Sequence, residues 1–252
     1  MKKIIAFILA LTMCLSLAAC GELQYDDKNT EKDDTGISSS DNNTTSTSTT
    51  GSGDPIVPDE PDIASMGLEF FPNSDGTCAV TGIGTCTDTE IVIPAEWEIF
   101  KVTSIYSEAF KGCSSLVSVV IPEGVTSIGE NAFEDCVELR SIIIPDSVKR
   151  IDNKAFKGCF LLNSVTFGRG LIKIGSSAFA YCYSLTKITL PISVANIGFW
   201  AFGDCTRLTS IYYEGTKEQW SAIWKGSHVT HDESDIGLEA CTIYCTDGEI
   251  KK

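Results

Sequence analysis

Residues Val125–Ser147 read VTSIGENAFEDCVELRSIIIPDS, and this phrase decides how the chain folds. It returns at a fixed step of 23 residues. Phe recurs at Phe110, Phe133, Phe156, Phe179 and Phe202. Cys recurs at Cys113, Cys136, Cys159, Cys182 and Cys205, and Leu at Leu116, Leu139, Leu162, Leu185 and Leu208. A fixed period in the twenties is the signature of a solenoid, whose coils bury their apolar faces only against one another. The expected class is α/β and β-rich, a solenoid of five 23-residue repeats over about residues 102–213.

Each repeat divides in two. The first half, Leu-x-x-Val/Ile-x-Ile-Pro, appears as Leu116, Val119, Ile121, Pro122 and as Leu139, Ile142, Ile144, Pro145. Alternating β-branched positions predict a short strand with one face inward, and a following Pro, lacking an N–H, ends the ladder. The second half carries Val125, Ile128, Ala132, Phe133 and Cys136. Its apolar spacing of i, i+1, i+4 and i+7 predicts a helical or 3₁₀ turn, with Gly129, Gly175 and Gly198 at a turn needing positive φ. Every repeated Phe, Cys and Leu is expected to be core.

The ends differ from the middle. Leu68–Phe71, Asn73-Ser74-Asp75-Gly76 and Thr77–Thr81 predict a hairpin cap around an Asp-Gly turn. Glu90–Pro94 resembles the strand half of a repeat, and Ala95–Lys101 holds a bulged insertion with Trp97. After the array, Thr216-Lys217-Glu218-Gln219 matches a capping box. Trp220, Ile223 and Trp224 would form the buried stripe of that terminal helix, and Cys241–Cys245 a last strand.

The rest of the chain reads differently. In residues 1–20, Lys2 and Lys3 precede an apolar stretch from Ile4 to Ala19, the pattern of a signal segment. Leu17-Ala18-Ala19-Cys20 resembles the lipobox of bacterial lipoproteins, which makes Cys20 the expected site of lipid attachment. Acyl chains there would hold the exported protein on the outer side of a cell membrane. Residues 21–65, rich in Ser, Thr, Asn and Asp, predict a solvated tether that cannot bury enough apolar surface to fold. They hold eleven acidic residues against two lysines, so most of the formal charge of −15 lies there. Residues 66–252 form the repeat domain with its caps. An acidic chain lacks the basic footprint of a nucleic-acid binder.

The eleven cysteines decide little about oxidation. Cys14 and Cys20 belong to the signal segment, and the periodic five read as small buried hydrophobes with reduced thiols. Cys78/Cys86 and Cys241/Cys245 remain possible bridges. Chemistry is sparse: the two histidines, His228 and His231, share one polar loop, expected to be solvated rather than to bind metal. No catalytic constellation and no cofactor is expected. The Lys149, Arg150, Lys154 and Lys157 cluster reads as a solvated face.

The phrase resembles the BspA-like bacterial leucine-rich repeats, close to LxxIxLPxxVTxIGxxAFxxC, over about residues 68–250. The resemblance implies a leucine-rich-repeat surface protein that binds other macromolecules. The residues able to do so lie between the inward strand positions: Ser118 and Val120, Ser141 and Ile143, Ser164 and Thr166, Lys187 and Thr189, Ser210 and Tyr212. Stacked, they predict one continuous face for an extracellular protein or glycan ligand, on a monomer. The competing expectation is a surface binding protein that passes glycans or nutrients to a transporter or enzyme.

Overall fold

The computed structural model describes residues 64–226, 236–238 and 240–251. The signal segment with Cys20, the tether as far as residue 63, and His228 and His231 lie outside them.

An N-terminal hairpin opens the domain: β1 (Glu69–Pro72) pairs antiparallel with β2 (Thr77–Gly82). Asp75 closes its turn, its Oδ1 accepting from the Thr77 N–H at 3.0 Å, while Gly76 takes φ +83. Next come β3 (Glu90–Val92), β4 (Glu96–Trp97) and β5 (Phe100–Ile105). The expected bulge is a second hairpin, with β4 folded antiparallel on β5. Trp97 explains it: its ring stacks on Phe70 at 5.3 Å and on Phe100 at 6.2 Å, covering the first coil.

Each following repeat supplies two strands. These are β6 (Ser118–Val120) and β7 (Ser127–Ile128), then β8 (Ser141–Ile144) and β9 (Arg150–Ile151). They continue as β10 (Ser164–Phe167) and β11 (Lys173–Ile174), then β12 (Lys187–Leu190) and β13 (Asn196–Gly198). The chain ends with β14 (Ser210–Tyr213), helix α1 (Lys217–Ala222), β15 (Trp224–Gly226), β16 (Thr242–Cys245) and β17 (Gly248–Ile250). Among the described residues one sheet runs β17-β16-β14-β12-β10-β8-β6-β3. The other runs β1-β2-β5-β7-β9-β11-β13-β15, with β4 beside β5. Between repeats the pairing is parallel and joins equivalent positions, as Ile142 joins Val165 and Ile128 joins Ile151.

The second half of the repeat therefore differs from the expected helical turn. It begins with a strand and continues as a chain of turns whose N–H groups alternate in direction. The N–H groups of Asn131, Phe133 and Asp135 donate to Asn153, Ala155 and Lys157 of the next coil. Those of Ala132, Glu134 and Cys136 donate three residues back within their own coil. A helix would keep all of these bonds to itself; here every second one joins two coils. The alternation places Asn131 at φ 56 and Asp135 at φ 60, and their counterparts Lys154, Ser177, Tyr181, Trp200 and Asp204 are also positive. Gly112 and Gly158, counterparts of Asp135, are positive too, but Gly129, Gly175 and Gly198 are not. These three are required for close approach instead: a Cβ on Gly129 would meet Ser107 N at 2.6 Å, and one on Gly198 would meet Ser176 N at 2.4 Å.

The core lies between the sheets and the turns. Phe110, Phe133, Phe156, Phe179 and Phe202 are each fully buried. Their rings stack at 5.1 Å from Phe110 through Phe179 and at 5.6 Å to Phe202. Beside them runs a ladder of thiols. The Sγ of Cys136, Cys159, Cys182 and Cys205 donates to the carbonyl of Phe110, Phe133, Phe156 and Phe179 respectively, at 3.1 to 3.4 Å. Cys suits this position because it is small and apolar yet supplies one weak donor. The described cysteines at 78, 86, 113, 136, 159, 182, 205 and 245 are free thiols. Neither Cys78/Cys86 nor Cys241/Cys245 is bridged.

The C-terminal cap follows expectation in its capping box and buried Trp220, and departs from it at Trp224 and in adding β17, antiparallel to β16, after the expected last strand. Thr216 Oγ1 accepts from the Gln219 N–H and Gln219 Oε1 accepts from the Thr216 N–H, completing the capping box. Trp220 is buried and meets Tyr213 edge-on at 5.5 Å. Trp224 is not part of the helix; it opens β15 and pairs with Asn196. Lys225 then stands where Ile197 stands one coil earlier. A buried ammonium needs partners, and its Nζ donates to the carbonyls of Trp220 at 2.7 Å and Ile223 at 3.2 Å.

Candidate functional site

The eight-stranded sheet turns one face to the core and the other outward. In β8 the inward pair is Ile142 and Ile144, and the outward pair Ser141 and Ile143; β10 and β12 alternate in the same way. Ser164, Thr166, Lys187 and Thr189 are exposed, Ser118 and Ser210 half-buried. All ten residues expected on the face lie on it.

Parallel register arranges them in two rows. One row runs Glu90, Ser118, Ser141, Ser164 on the first strands and Lys187, Ser210, Thr242 on the later ones. The other pairs Val92 with Val120, Ile143 with Thr166, Thr166 with Thr189, Thr189 with Tyr212 and Tyr212 with Tyr244. A row of hydroxyls headed by Glu90 and interrupted by Lys187 thus lies beside one that passes from aliphatic through two threonines to aromatic. Seven strands at about 4.8 Å spacing make the face roughly 29 Å long. Ile143 is 67% exposed, Val120 48% and Tyr212 43%, and Tyr212 stacks on Tyr244 at 5.0 Å. Val92 and Tyr244 were not among the ten. EIVIP and CTIYC already read as strands, so carrying the alternation through them would have reached both.

Other groupings do not converge in this way. In the Lys149, Arg150, Lys154 and Lys157 cluster, Arg150 faces Asp152 at 3.5 Å and Lys157 pairs with Glu134 at 2.9 Å. Glu134 also meets Lys111 at 3.2 Å, so three successive coils share one ion-pair row. Burial opposes the charge on Glu134, but the bonds from Lys157 and Lys111 outweigh it and hold the carboxyl below its ordinary value. A separate aromatic group lies on the turns, where Phe160 stacks on Tyr183 at 5.4 Å and Tyr181 meets Trp200 edge-on at 5.4 Å.

The buried ladder thiols of Cys136, Cys159 and Cys182 are held in the protonated form. Burial pushes Cys136 up to about 12, and Cys159 and Cys182 well above the usual thiol value, the reverse of an activated cysteine. Among the described residues no group of three or more His, Cys, Asp or Glu is placed to hold a metal ion. Nor is any helix among them long and apolar enough to cross a membrane.

Comparison with known proteins agrees with this geometry. The family model described as BspA type Leucine rich repeat region matches in six copies over residues 85–220, a span that includes the strand half at Glu90–Pro94. The crystal structure of a T. pallidum leucine-rich-repeat protein matches with 34% identity and TM-score 0.55, over 58% of this chain and 68% of that one. A leucine-rich-repeat protein from Bacteroides ovatus matches with 34% identity and TM-score 0.54; the match covers 62% of this chain but only 43% of that one. No curated protein is a significant match. Leucine-rich-repeat folds of this kind are typically binding scaffolds, and proteins of this type are typically exposed at cell surfaces. With its 23-residue coils, its paired strand ladders and six matched copies, the chain belongs to the BspA-type leucine-rich-repeat family.

Proposed function

We propose that this protein is a lipid-anchored surface protein that binds an extracellular protein through the outward face of the eight-stranded sheet. The observation that carries the proposal is the stripe of Val120, Ile143, Tyr212 and Tyr244, four large apolar side chains left exposed in phase on one sheet. Single exposed apolar residues are ordinary, but an aliphatic pair and an aromatic pair on one face, joined through Thr166 and Thr189, have the composition of an interface. Solenoids offer such extended faces for binding. Anchoring rests on the sequence alone: Lys2 and Lys3, the apolar run to Ala19, and Cys20 in a lipobox. The Ser/Thr-rich segment from residue 21 to 65 would then hold the domain away from the membrane.

The test uses the full chain on immobilised extracellular-matrix protein, with the matrix untreated, glycosidase-treated or protease-treated. Saturable binding that survives glycosidase and not protease is expected. A Val120→Ser, Ile143→Ser, Tyr212→Ala triple variant should lose at least tenfold in affinity while keeping its fold, because exposed substitutions change stability little. Undiminished binding by the folded triple variant would remove the face from consideration. A Cys20→Ser variant should leave the membrane fraction; if it stays, the anchor is not a lipid on Cys20.

A further inference from the structure

The nine-stranded sheet carries a different surface. A depression of about 350 Å³ opens on its outer side, lined by Asn153, Lys173, Ser176, Asn196, Trp224 and the glycines 175 and 198. Its volume falls in the range of small-ligand pockets. Three of its residues form a row across adjacent strands, since Lys173 pairs with Asn196 and Asn196 with Trp224. One strand further on, Lys173 pairs with Arg150. An indole, a carboxamide, an ammonium and a guanidinium therefore follow one another at about 4.8 Å per strand.

The floor is bare because its glycines cannot carry side chains. A Cβ on Gly175 would strike Asp152 C at 2.5 Å, and one on Gly198 would strike Gly175 C at 2.6 Å. The turns that enforce these glycines also bring Asn153 and Ser176 to the rim. There the Ser176 N–H donates to Asn153 Oδ1 at 2.9 Å, which fixes the carboxamide and leaves its Nδ2 hydrogens as donors. Among the described residues the side chains of Lys173 and Asn196 make no hydrogen bond or ion pair, their backbone N–H groups being taken up by the carbonyls of Lys149 and Ile172.

We infer that this depression binds an acidic disaccharide unit, one pyranose stacked on Trp224 and a second, bearing a carboxylate or sulfate, held by Lys173. An indole face with flanking amides suits the apolar face and hydroxyl rim of a pyranose. From Trp224 to Lys173 is two strand steps, roughly 10 Å, the length of a disaccharide rather than a monosaccharide. Charge decides the second ring. Among the described residues the one charged side chain lining the depression is that of Lys173; Arg150, next in the row, is paired with Asp152 at 3.5 Å. The face proposed for protein binding lies on the other sheet, so the two sites stand or fall separately.

The experiment titrates the full chain, by calorimetry and tryptophan fluorescence, with a glucuronic-acid-containing disaccharide, a neutral disaccharide and a poly-glutamate peptide. Saturable millimolar or tighter binding is expected, with the acidic disaccharide at least tenfold ahead of the neutral one and no competition from the peptide. Trp224→Ala should abolish binding of both sugars, and Asn196→Ala should weaken both at least fivefold. Lys173→Gln should bring the acidic-to-neutral ratio close to one, whereas Tyr212→Ala should change nothing. Lys173 and Asn196 lie at the surface, so their variants report on the site even where Trp224→Ala disturbs the last coil. Absence of saturable sugar binding would overturn the inference. So would wild-type binding by Lys173→Gln and Asn196→Ala, or equal competition by poly-glutamate, which would mark an anionic-peptide site.

Discussion

Replacing Phe179 by Ala is the sharpest test of how the solenoid is held together, because the Phe rings are equivalent in sequence but not in surroundings. Phe179 is fully buried and touches three rings: Phe156 at 5.1 Å, Phe202 at 5.6 Å and Phe167 edge-on at 5.6 Å. Phe110 is equally buried, yet among the described residues its ring meets only Phe133. Truncating a buried Phe to Ala costs about 3–5 kcal/mol in transfer and cavity. Each aromatic pair adds about 0.5–1.5 kcal/mol beyond area, so two additional pairs separate the variants by about 1–3 kcal/mol. Phe110→Ala should therefore fall near the low end of the range and Phe179→Ala at or above its top. Urea unfolding of the full chain, followed by circular dichroism and tryptophan fluorescence, measures both. Coils contact only their neighbours, so a weakened centre should also lower the m-value and separate the two probes. Three of the four tryptophans, Trp200, Trp220 and Trp224, report on the C-terminal side of Phe179. If Phe110→Ala costs as much as Phe179→Ala, ring stacking contributes nothing beyond burial and the reasoning fails.

The other predictions concern the same backbone. Gly198→Ala should destabilise by about 1–3 kcal/mol, since its Cβ meets backbone atoms of the preceding coil that have no freedom to move aside. Gly112→Ala, at φ +70 with nothing within 4 Å, should lose only the 1–2 kcal/mol or so of a left-handed alanine; reversal of that order in thermal unfolding would contradict the close-approach reading. The Cys136 thiol, raised from 9.0 to about 12, contributes stability that is complete below pH 9 and is lost as pH rises toward 12. Wild type should accordingly lose stability faster than Cys136→Ala across that window in urea titrations, and parallel slopes would count against it. Glu134 has the opposite sign. Its lowered carboxyl contributes stability present above the ordinary value of 4.5 and lost as pH falls through the lower folded value, so Glu134→Gln should flatten the acid limb of the stability curve.

Much of the fold was legible because its strongest signals are periodic. Ile142 and Ile144 alternate inward as the strand pattern requires, and the capping box at Thr216 forms atom for atom. The misreading fell on Asn131 to Cys136. Apolar spacing reports which side chains point inward, and a helix and a chain of alternating turns place Ala132, Phe133 and Cys136 inward alike. What separates them is the direction of the N–H groups, and in this segment every second receiving carbonyl belongs to a residue 22 positions ahead, in the next coil. Those carbonyls lie far beyond the few residues over which helical periodicity is read. The glycines were misassigned for the same reason: Gly129 meets Ser107 across 22 residues of sequence, a contact no local conformational argument supplies.

The two candidate surfaces differ in how far sequence alone could reach them. Ser118 through Tyr212 follow from strand alternation, one coil at a time, because each strand places its own outward residues. The sugar site does not follow from any one coil. Trp224 was assigned to a helix, and only its pairing with Asn196 brings it beside Lys173. Gly175 and Gly198, needed there to let coils close on one another, also clear the floor of the depression. Scaffold and site are thus coupled in the nine-stranded sheet, where side chains at Gly175 or Gly198 would force the coils apart and fill the depression. In the eight-stranded sheet they are separable, since Ile143 or Tyr212 can change without disturbing the inward Ile142 and Ile211. Variation among relatives should therefore be freer on the second face than in the first, and a ligand read by the eight-stranded sheet is free to change while the sugar site is held by the packing that forms it.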